Sequence, residues 1–223
     1  MRVKSLTLIL AVATFVVVGV LSGCTAGTTT EITSAAQPGA ASESNAKTLE
    51  NLQAAYNGES NANARYLAFA RKADEEGYAK VASLFRAAAR AEAIHFGNHA
   101  QVIKQLGATP AADIKAAEVK TTAENLKAAI AGETYERDTM YPGFIDEARR
   151  IGNKEALRTF NLAKLAEAEH AKLYTDALAN LEQWRSGPGT FYVCPTCGFT
   201  TANGNLEKCP VDFTSREKFE AIN

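Results

Sequence analysis

Positive charge is not in excess in this chain: 24 Lys and Arg stand against 25 Asp and Glu, a formal charge of −1 over 223 residues. A nucleic-acid backbone therefore finds no basic track to follow, and nucleic acid is set aside as a partner. Cysteine is scarce, with 4 in the whole chain, too few for a fold stapled by disulfides. Long apolar runs are nearly missing. The sizeable one, residues 6–21, is about 16 residues, short for a membrane-spanning helix and suited to the apolar stretch of a secretory leader. What remains is 46% hydrophobic and 22% charged, a balance that buries a core and is wrong for a disordered chain.

The leader opens with Arg2 and Lys4, and its apolar run ends in Leu21, Ser22, Gly23 and Cys24. That ending resembles the lipobox of bacterial lipoproteins, which implies cleavage before Cys24 and lipid attachment to its sulfur. An uncleaved anchor helix is the alternative. Both put the remaining chain outside the cytoplasm, in the periplasm or cell envelope, tethered to a membrane. Residues 1–23 are read as a signal peptide. Residues 24–47, mostly Thr, Ser, Ala, Gly and Pro, hold too little apolar surface to offset their ordering entropy and read as a flexible tether.

From residue 48 to residue 185 the spacing of apolar residues alternates between three and four and predicts four long amphipathic helices. The first runs over about residues 49–76, with Leu52, Tyr56, Asn63, Tyr66 and Ala70 on one face. The second starts near Tyr78 and carries Val81, Phe85, Ala88, Val102 and Leu106. The third follows a capping box at Thr121 and Glu124 and shows Leu126, Ile130, Met140 and Phe144. Pro142 should kink it. The fourth follows Asn153 as N-cap, with Ala156, Phe160, Ala163, Tyr174 and Leu178. Gly77, Gly107 and Gly152 stand where helices should stop. Short turns join the first two and the last two helices, and the longer segment 107–120 lets the second hairpin cross over. The fold class is thus mainly α, a ferritin-like four-helix bundle with one long crossover.

The two hairpins repeat each other. Residues 52–60 (LQAAYNGES) match 126–134 (LKAAIAGET), and 91–95 (AEAIH) match 166–170 (AEAEH). Repeated positions should therefore meet at an approximate two-fold axis. Those positions are acidic where leucine belongs. Glu59, Glu92, Glu133 and Glu167 lie in the apolar stripes of the four helices, with Glu136 one turn past Glu133 and with His95 and His170 beside Glu92 and Glu167. Burying five carboxylates, each at a cost of several kcal/mol, would exhaust a domain that is stable by about 5–15 kcal/mol. No basic residue sits squarely in the stripes, Arg137 being the nearest. Protonation relieves some of the carboxylates but not all five at neutral pH, whereas two divalent cations set +4 against −5 and neutral imidazole completes their coordination. Glu-x-x-His puts both donors on one helical face, and two such motifs, each with a lone Glu from the preceding helix, match the known template of di-iron carboxylate bundles. Oxygen and imidazole donors suit Fe, with Mn or a mixed pair as alternatives. Glu136 also reads as a flanking salt-bridged carboxylate, and His99 as a core or supporting histidine rather than a ligand. Tyr66 and Tyr141, seven and eight positions past the two lone Glu residues, either hydrogen-bond to ligating carboxylates or pack in the core.

After residue 189 the composition changes. Cys194 and Cys197 form a Cys-x-x-Cys knuckle, and Cys209 opens a second that ends in Asp212. Residues 190–223 are too few to fold on a core alone, so a metal staple, one Fe or Zn, is expected. Asp212 is either an oxygen ligand or the sign of a lost metal, and a Cys194–Cys197 disulfide is the further alternative.

The duplicated hairpins, the Gly-Glu-x-x-Glu of residues 132–136, the paired Glu-x-x-His motifs and the Cys-Pro-x-Cys-Gly knuckle together resemble rubrerythrin over residues 48–223. The resemblance implies a ferritin-like di-iron domain followed by a rubredoxin-like one. It implies iron ligation by Glu59, Glu92, His95, Glu133, Glu167 and His170. Glu136 becomes the extra carboxylate by which one iron alternates between Glu and His, and Cys194, Cys197 and Cys209 become three of four rubredoxin ligands. By the same resemblance the chain is a peroxidase of the NADH-peroxidase type, taking electrons from an external donor, a homodimer, with hydrogen peroxide or O₂ as substrate. Ferroxidase activity and a non-catalytic metal-binding envelope lipoprotein are the rivals. Asp212 and the leader depart from the pattern: the first puts internal electron delivery in question, the second separates the chain from cytoplasmic donors.

Overall fold

The computed structural model describes residues 38–185 and 187–223, with side chains from Asn45 onward. Cys24, the leader and residues 24–37 of the tether lie outside the described residues. Helix α1 spans Pro38–Glu75, α2 Ala79–Gln105, α3 Thr122–Tyr135, α4 Tyr141–Ile151 and α5 Lys154–Ala179. It begins ten residues before the apolar periodicity does. Pro38 suits a first helical position because its missing N–H has no partner there anyway, and the Ala-rich stretch that follows has helix propensity without a pattern.

The capping reading is realised in detail. Thr121 and Glu124 form a reciprocal capping box, Asn153 accepts from the Ala156 amide at 3.0 Å, and Gly77, Gly107 and Gly152 all adopt positive φ at the helix ends. Helix α1 packs along α2, and α5 along both α3 and α4. The crossover 107–121 is pinned to α1 by a polar ladder one turn apart. Gln53 accepts from the Ala111 amide, Asn57 from Asp113 and Asn61 from Lys115, at 3.2, 2.8 and 2.8 Å.

The third rod departs from expectation. A π-helical turn, Glu136–Met140, separates α3 from α4. Pro142 lacks the N–H that would bond Asp138, and a wider turn ahead of it absorbs the misfit. One residue is thereby inserted into the apolar register. Tyr141 and Ile145 are buried, whereas Met140 and Phe144, expected on that face, are only half-buried.

Two apolar clusters fill the bundle. One holds Tyr66, Phe69, Phe85 and Tyr174, the other Leu52, Ile103, Tyr141 and Phe160. Residues 191–222 add a small antiparallel sheet of order β2-β1-β3, with β1 Phe191–Val193, β2 Thr200–Thr201 and β3 Glu220–Ile222. It lies against α2 and α5, and Arg90 of α2 forks onto Glu220 through bonds of 2.5 and 2.7 Å. Among the described residues no helix is long and apolar enough to cross a membrane.

Candidate metal centre

The acids and histidines of the four stripes converge. Glu59, Glu92, His95 and Glu167 place donor atoms within 4.8 Å of one another, and so do Glu92, Glu133, Glu167 and His170. Glu92 and Glu167 belong to both quartets, so the arrangement is two adjoining sites with two shared carboxylates. All six side chains are buried.

The repeat cross-links itself here. Tyr66 of the first hairpin donates to Glu133 of the second at 2.6 Å, and Tyr141 of the second donates to Glu59 of the first. Tyr66 follows Glu59 by seven positions and Tyr141 follows Glu133 by eight. The π-turn supplies the extra residue, so both hydroxyls reach the centre despite the unequal spacing. Each tyrosine holds one carboxylate oxygen and leaves the other free. Glu59 Oε2, Glu133 Oε2 and Glu92 Oε1 are buried without a hydrogen-bond partner. Unpartnered buried carboxylate oxygens are costly, and a metal pair satisfies them. The donor set therefore fits two oxygen- and nitrogen-ligated ions.

Electrostatics point the same way. Burial, then the charges of Glu136, Glu92 and Glu167, raise the Glu59 pKa well above the carboxylate range. Burial and the charges of Glu167 and Glu92 push Glu133 up to about 8. Glu136 is raised by burial of its carboxyl and by Glu133, Glu167 and Glu92. Burial opposes ionisation of Glu167 too, but His95 and His170 hold it below its usual range. His95 Nδ1 lies 2.8 Å from Glu92 and 2.9 Å from Glu167, and His170 Nδ1 lies 2.8 Å from Glu167.

The far nitrogens of both imidazoles are engaged as well. His95 Nε2 is 2.9 Å from the Cys197 carbonyl oxygen, and His170 Nε2 is 3.1 Å from Thr200 Oγ1 and 3.3 Å from the Gly198 carbonyl. With those acceptors the Nε2 atoms carry the protons, which leaves Nδ1 of each ring for a metal. The C-terminal knuckle thus caps both histidines. Nothing in the sequence marks the two carbonyl acceptors, because every residue has a carbonyl; only Thr200 brings a side-chain oxygen.

Further out, His99 is buried with Nε2 3.1 Å from the Tyr141 hydroxyl and Nδ1 3.0 Å from Thr159 Oγ1. Burial and the neighbouring His95 drop its pKa to about 3, so it is a neutral support for Tyr141. Glu136 is half-buried on the π-turn, outside both quartets. Arg137 is not the cation of the centre: it pairs with Asp138. Arg65 takes that place, near Glu136 and Glu133 and 5.4 Å from the Tyr66 ring centroid. Its position next to Tyr66 in the stripe was the available signal.

At the knuckle Cys194, Cys197, Cys209 and Asp212 have ligand atoms within 4.8 Å of one another. The three cysteines are free and buried, so no disulfide links Cys194 to Cys197.

The Rubrerythrin family model matches residues 50–178. Rubrerythrin-2 of Clostridium acetobutylicum is 39% identical over 187 residues, covering 80% of this chain and 98% of that protein. Nigerythrin of Nitratidesulfovibrio vulgaris is 39% identical over 175 residues, covering 78% and 86%. A solved structure of fully reduced, all-ferrous nigerythrin overlays with a TM-score of 0.73 at 38% identity, over 78% of this chain and 86% of the other. The bacterioferritin of Desulfovibrio desulfuricans, at 22% identity and a TM-score of 0.59 over 66% and 86%, shares the fold alone. The duplicated acid-and-histidine centre and the relatives that align through both parts of the chain agree: this is a di-iron protein of the rubrerythrin family.

Proposed function

We propose that the chain reduces hydrogen peroxide to water, with the C-terminal Cys-rich site as the entry point for electrons from an external donor. The observation that carries this reading is the pair of buried donor quartets sharing Glu92 and Glu167, joined to the knuckle through His95 and Cys197. Glu59, Glu92, His95, Glu133, Glu167 and His170 would hold the iron pair, which would supply the two electrons that cleavage of the peroxide O–O bond requires.

The chain's own groups do the rest. Tyr66 and Tyr141 keep their protons, since burial and nearby carboxylates raise both phenols well above their ordinary range. They therefore fix Glu133 and Glu59 as hydrogen-bond donors throughout. Glu136, free of the quartets, is the group that takes and returns protons, two being consumed for each peroxide, and it is the spare carboxylate beside Glu59. The aromatic clusters on either side keep bulk water from the centre. The His95–Cys197 contact gives electrons a short covalent and hydrogen-bonded route from the knuckle.

Stopped-flow reoxidation of the diferrous protein with H₂O₂ and with O₂, run side by side under anaerobic preparation, tests the reading. Faster reaction with H₂O₂ is expected; faster reaction with O₂ makes the protein a ferroxidase. We further propose action at the cell envelope, supported by the lipobox-like residues 21–24. Mass spectrometry of the mature N-terminus checks it: a diacylated Cys24 is expected, and an unmodified residue 24 in intact protein would refute it.

A further inference from the structure

We propose that Asp212 is the fourth ligand of the C-terminal site, which holds one thiophilic transition ion, Fe or Zn, by three sulfurs and one carboxylate oxygen. The inference does not depend on the reaction at the bundle centre.

Its basis is a hidden symmetry between two loops. Cys194-Pro-Thr-Cys-Gly-Phe and Cys209-Pro-Val-Asp-Phe-Thr place Asp212 where the first loop has Cys197. The backbones repeat bond for bond. The Gly198 amide bonds the Cys194 carbonyl at 3.0 Å, and the Phe213 amide bonds the Cys209 carbonyl at 3.0 Å. The Cys194 amide reaches Phe199 at 2.9 Å, and the Cys209 amide reaches Thr214 at 2.8 Å. The residue after the fourth position is left-handed in both loops, with φ 78° at Gly198 and 64° at Phe213.

Glycine adopts that conformation freely; phenylalanine does not. Among the described residues Phe213 is the lone non-glycine with positive φ. The residue is 69% exposed, so burial of the aromatic does not compensate the strain. What the turn does accomplish is to aim Asp212. The Thr214 amide donates to Oδ1 at 2.8 Å, which orients the carboxylate, and Oδ2 is turned to within 3.4 Å of Cys194 Sγ. Oδ1, held by the backbone, is itself 3.6 Å from the same sulfur, and Oδ2 is the nearer oxygen on the thiol side.

A carboxylate oxygen is a harder donor than a thiolate, and three thiolates keep the site suited to tetrahedral Fe or Zn. The three cysteines are fully buried whereas Asp212 is half-buried. Metal should therefore leave on the carboxylate side.

Full-length protein, its bundle loaded with iron, gives the test. Metal analysis should find one ion beyond the bundle pair, and its identity separates Fe from Zn. Release of that ion to a chelator is then timed in wild type, Asp212→Ala and Asp212→Cys. Loss of the ligand should speed release about ten-fold or more, and a fourth thiolate should slow it by a similar factor. X-ray absorption on the ion should change from three sulfurs and one oxygen, at about 2.3 and 2.0 Å, to four sulfurs in Asp212→Cys. Release rates and a sulfur count that ignore both substitutions would overturn the proposal. So would a bundle full of iron beside a metal-free knuckle.

Discussion

Gly198 passes so close to His95 that a β-carbon on it would meet imidazole Cδ2 at 3.0 Å and crowd Nε2 more tightly still. The same glycine has φ 78°. Two independent reasons therefore disfavour a side chain there: the left-handed turn, which Phe213 tolerates under strain in the second loop, and the contact with His95, and only the turn belongs to the knuckle itself. The other is the approach of the knuckle to the bundle.

Gly198→Ala is expected to lift the knuckle off His95 and to add about 1–2 kcal/mol of backbone strain. Peroxide turnover driven by an external reductant should fall about ten-fold or more, since small misplacements are costly for coupled steps. Single-turnover reoxidation of chemically reduced protein should stay near wild type. Equal losses in both assays would mean that the glycine serves the centre and not electron delivery.

Tyr66→Phe and Tyr141→Phe each remove one donor from a buried carboxylate. Each should cost about 1.5–3 kcal/mol of iron affinity or stability. Because the two tyrosines serve different carboxylates, the effects should nearly add. Chelator competition on the two single variants and the double variant checks this, and unchanged affinity would show that the carboxylates are placed by packing alone.

Glu92→Gln and Glu167→Gln strike the carboxylates common to both quartets. Bundle iron should drop from about two per chain to one or fewer, because a neutral amide gives up the negative charge that both donor quartets draw on. The C-terminal ion should be retained. Full occupancy of the bundle in either variant refutes the sharing read from the geometry.

The metal-free protein should lose stability as pH rises. Glu133, with a folded pKa of about 8 against an ordinary 4.5, binds its proton more tightly folded than unfolded. Its contribution is therefore complete below about pH 4.5 and is lost as pH rises through about 8. Glu59 and Glu136 are raised likewise, and His95 and His170, which burial lowers but their carboxylate neighbours together raise, act in the same direction. Glu167, depressed by its histidines, affects only more acid conditions. Thermal melts of apo and iron-loaded protein between pH 5 and 8 should diverge, the apo Tm falling while the loaded Tm holds. Parallel curves would contradict the assignment.

Much of this was legible in the chain. Amphipathic spacing says which face of a helix is inward, so an acid at positions 59, 92, 133 and 167 had to point at the core, and paired repeats had to meet. Capping residues and glycines announced the helix ends because their chemistry is local. The extra residue in the third rod was not legible: a π-turn leaves only a one-position slip, visible as the unequal Glu–Tyr spacings but unexplained until Tyr141 is seen reaching Glu59. Arg65 as the nearby cation, in place of Arg137, was missed because periodicity ranks faces and not the reach of long side chains.

The residue types and their spacing alone determined a duplicated helical bundle whose interior holds carboxylates and imidazoles in metal-binding number. Only the tertiary structure decided that each half's tyrosine holds the other half's glutamate, and that the Cys197 carbonyl, with the Thr200 hydroxyl and the Gly198 carbonyl, settles which histidine nitrogens face the centre. The reason is physical. Side-chain pattern records what must be buried, whereas contacts across the repeat and bonds to backbone oxygen depend on where packed elements come to rest.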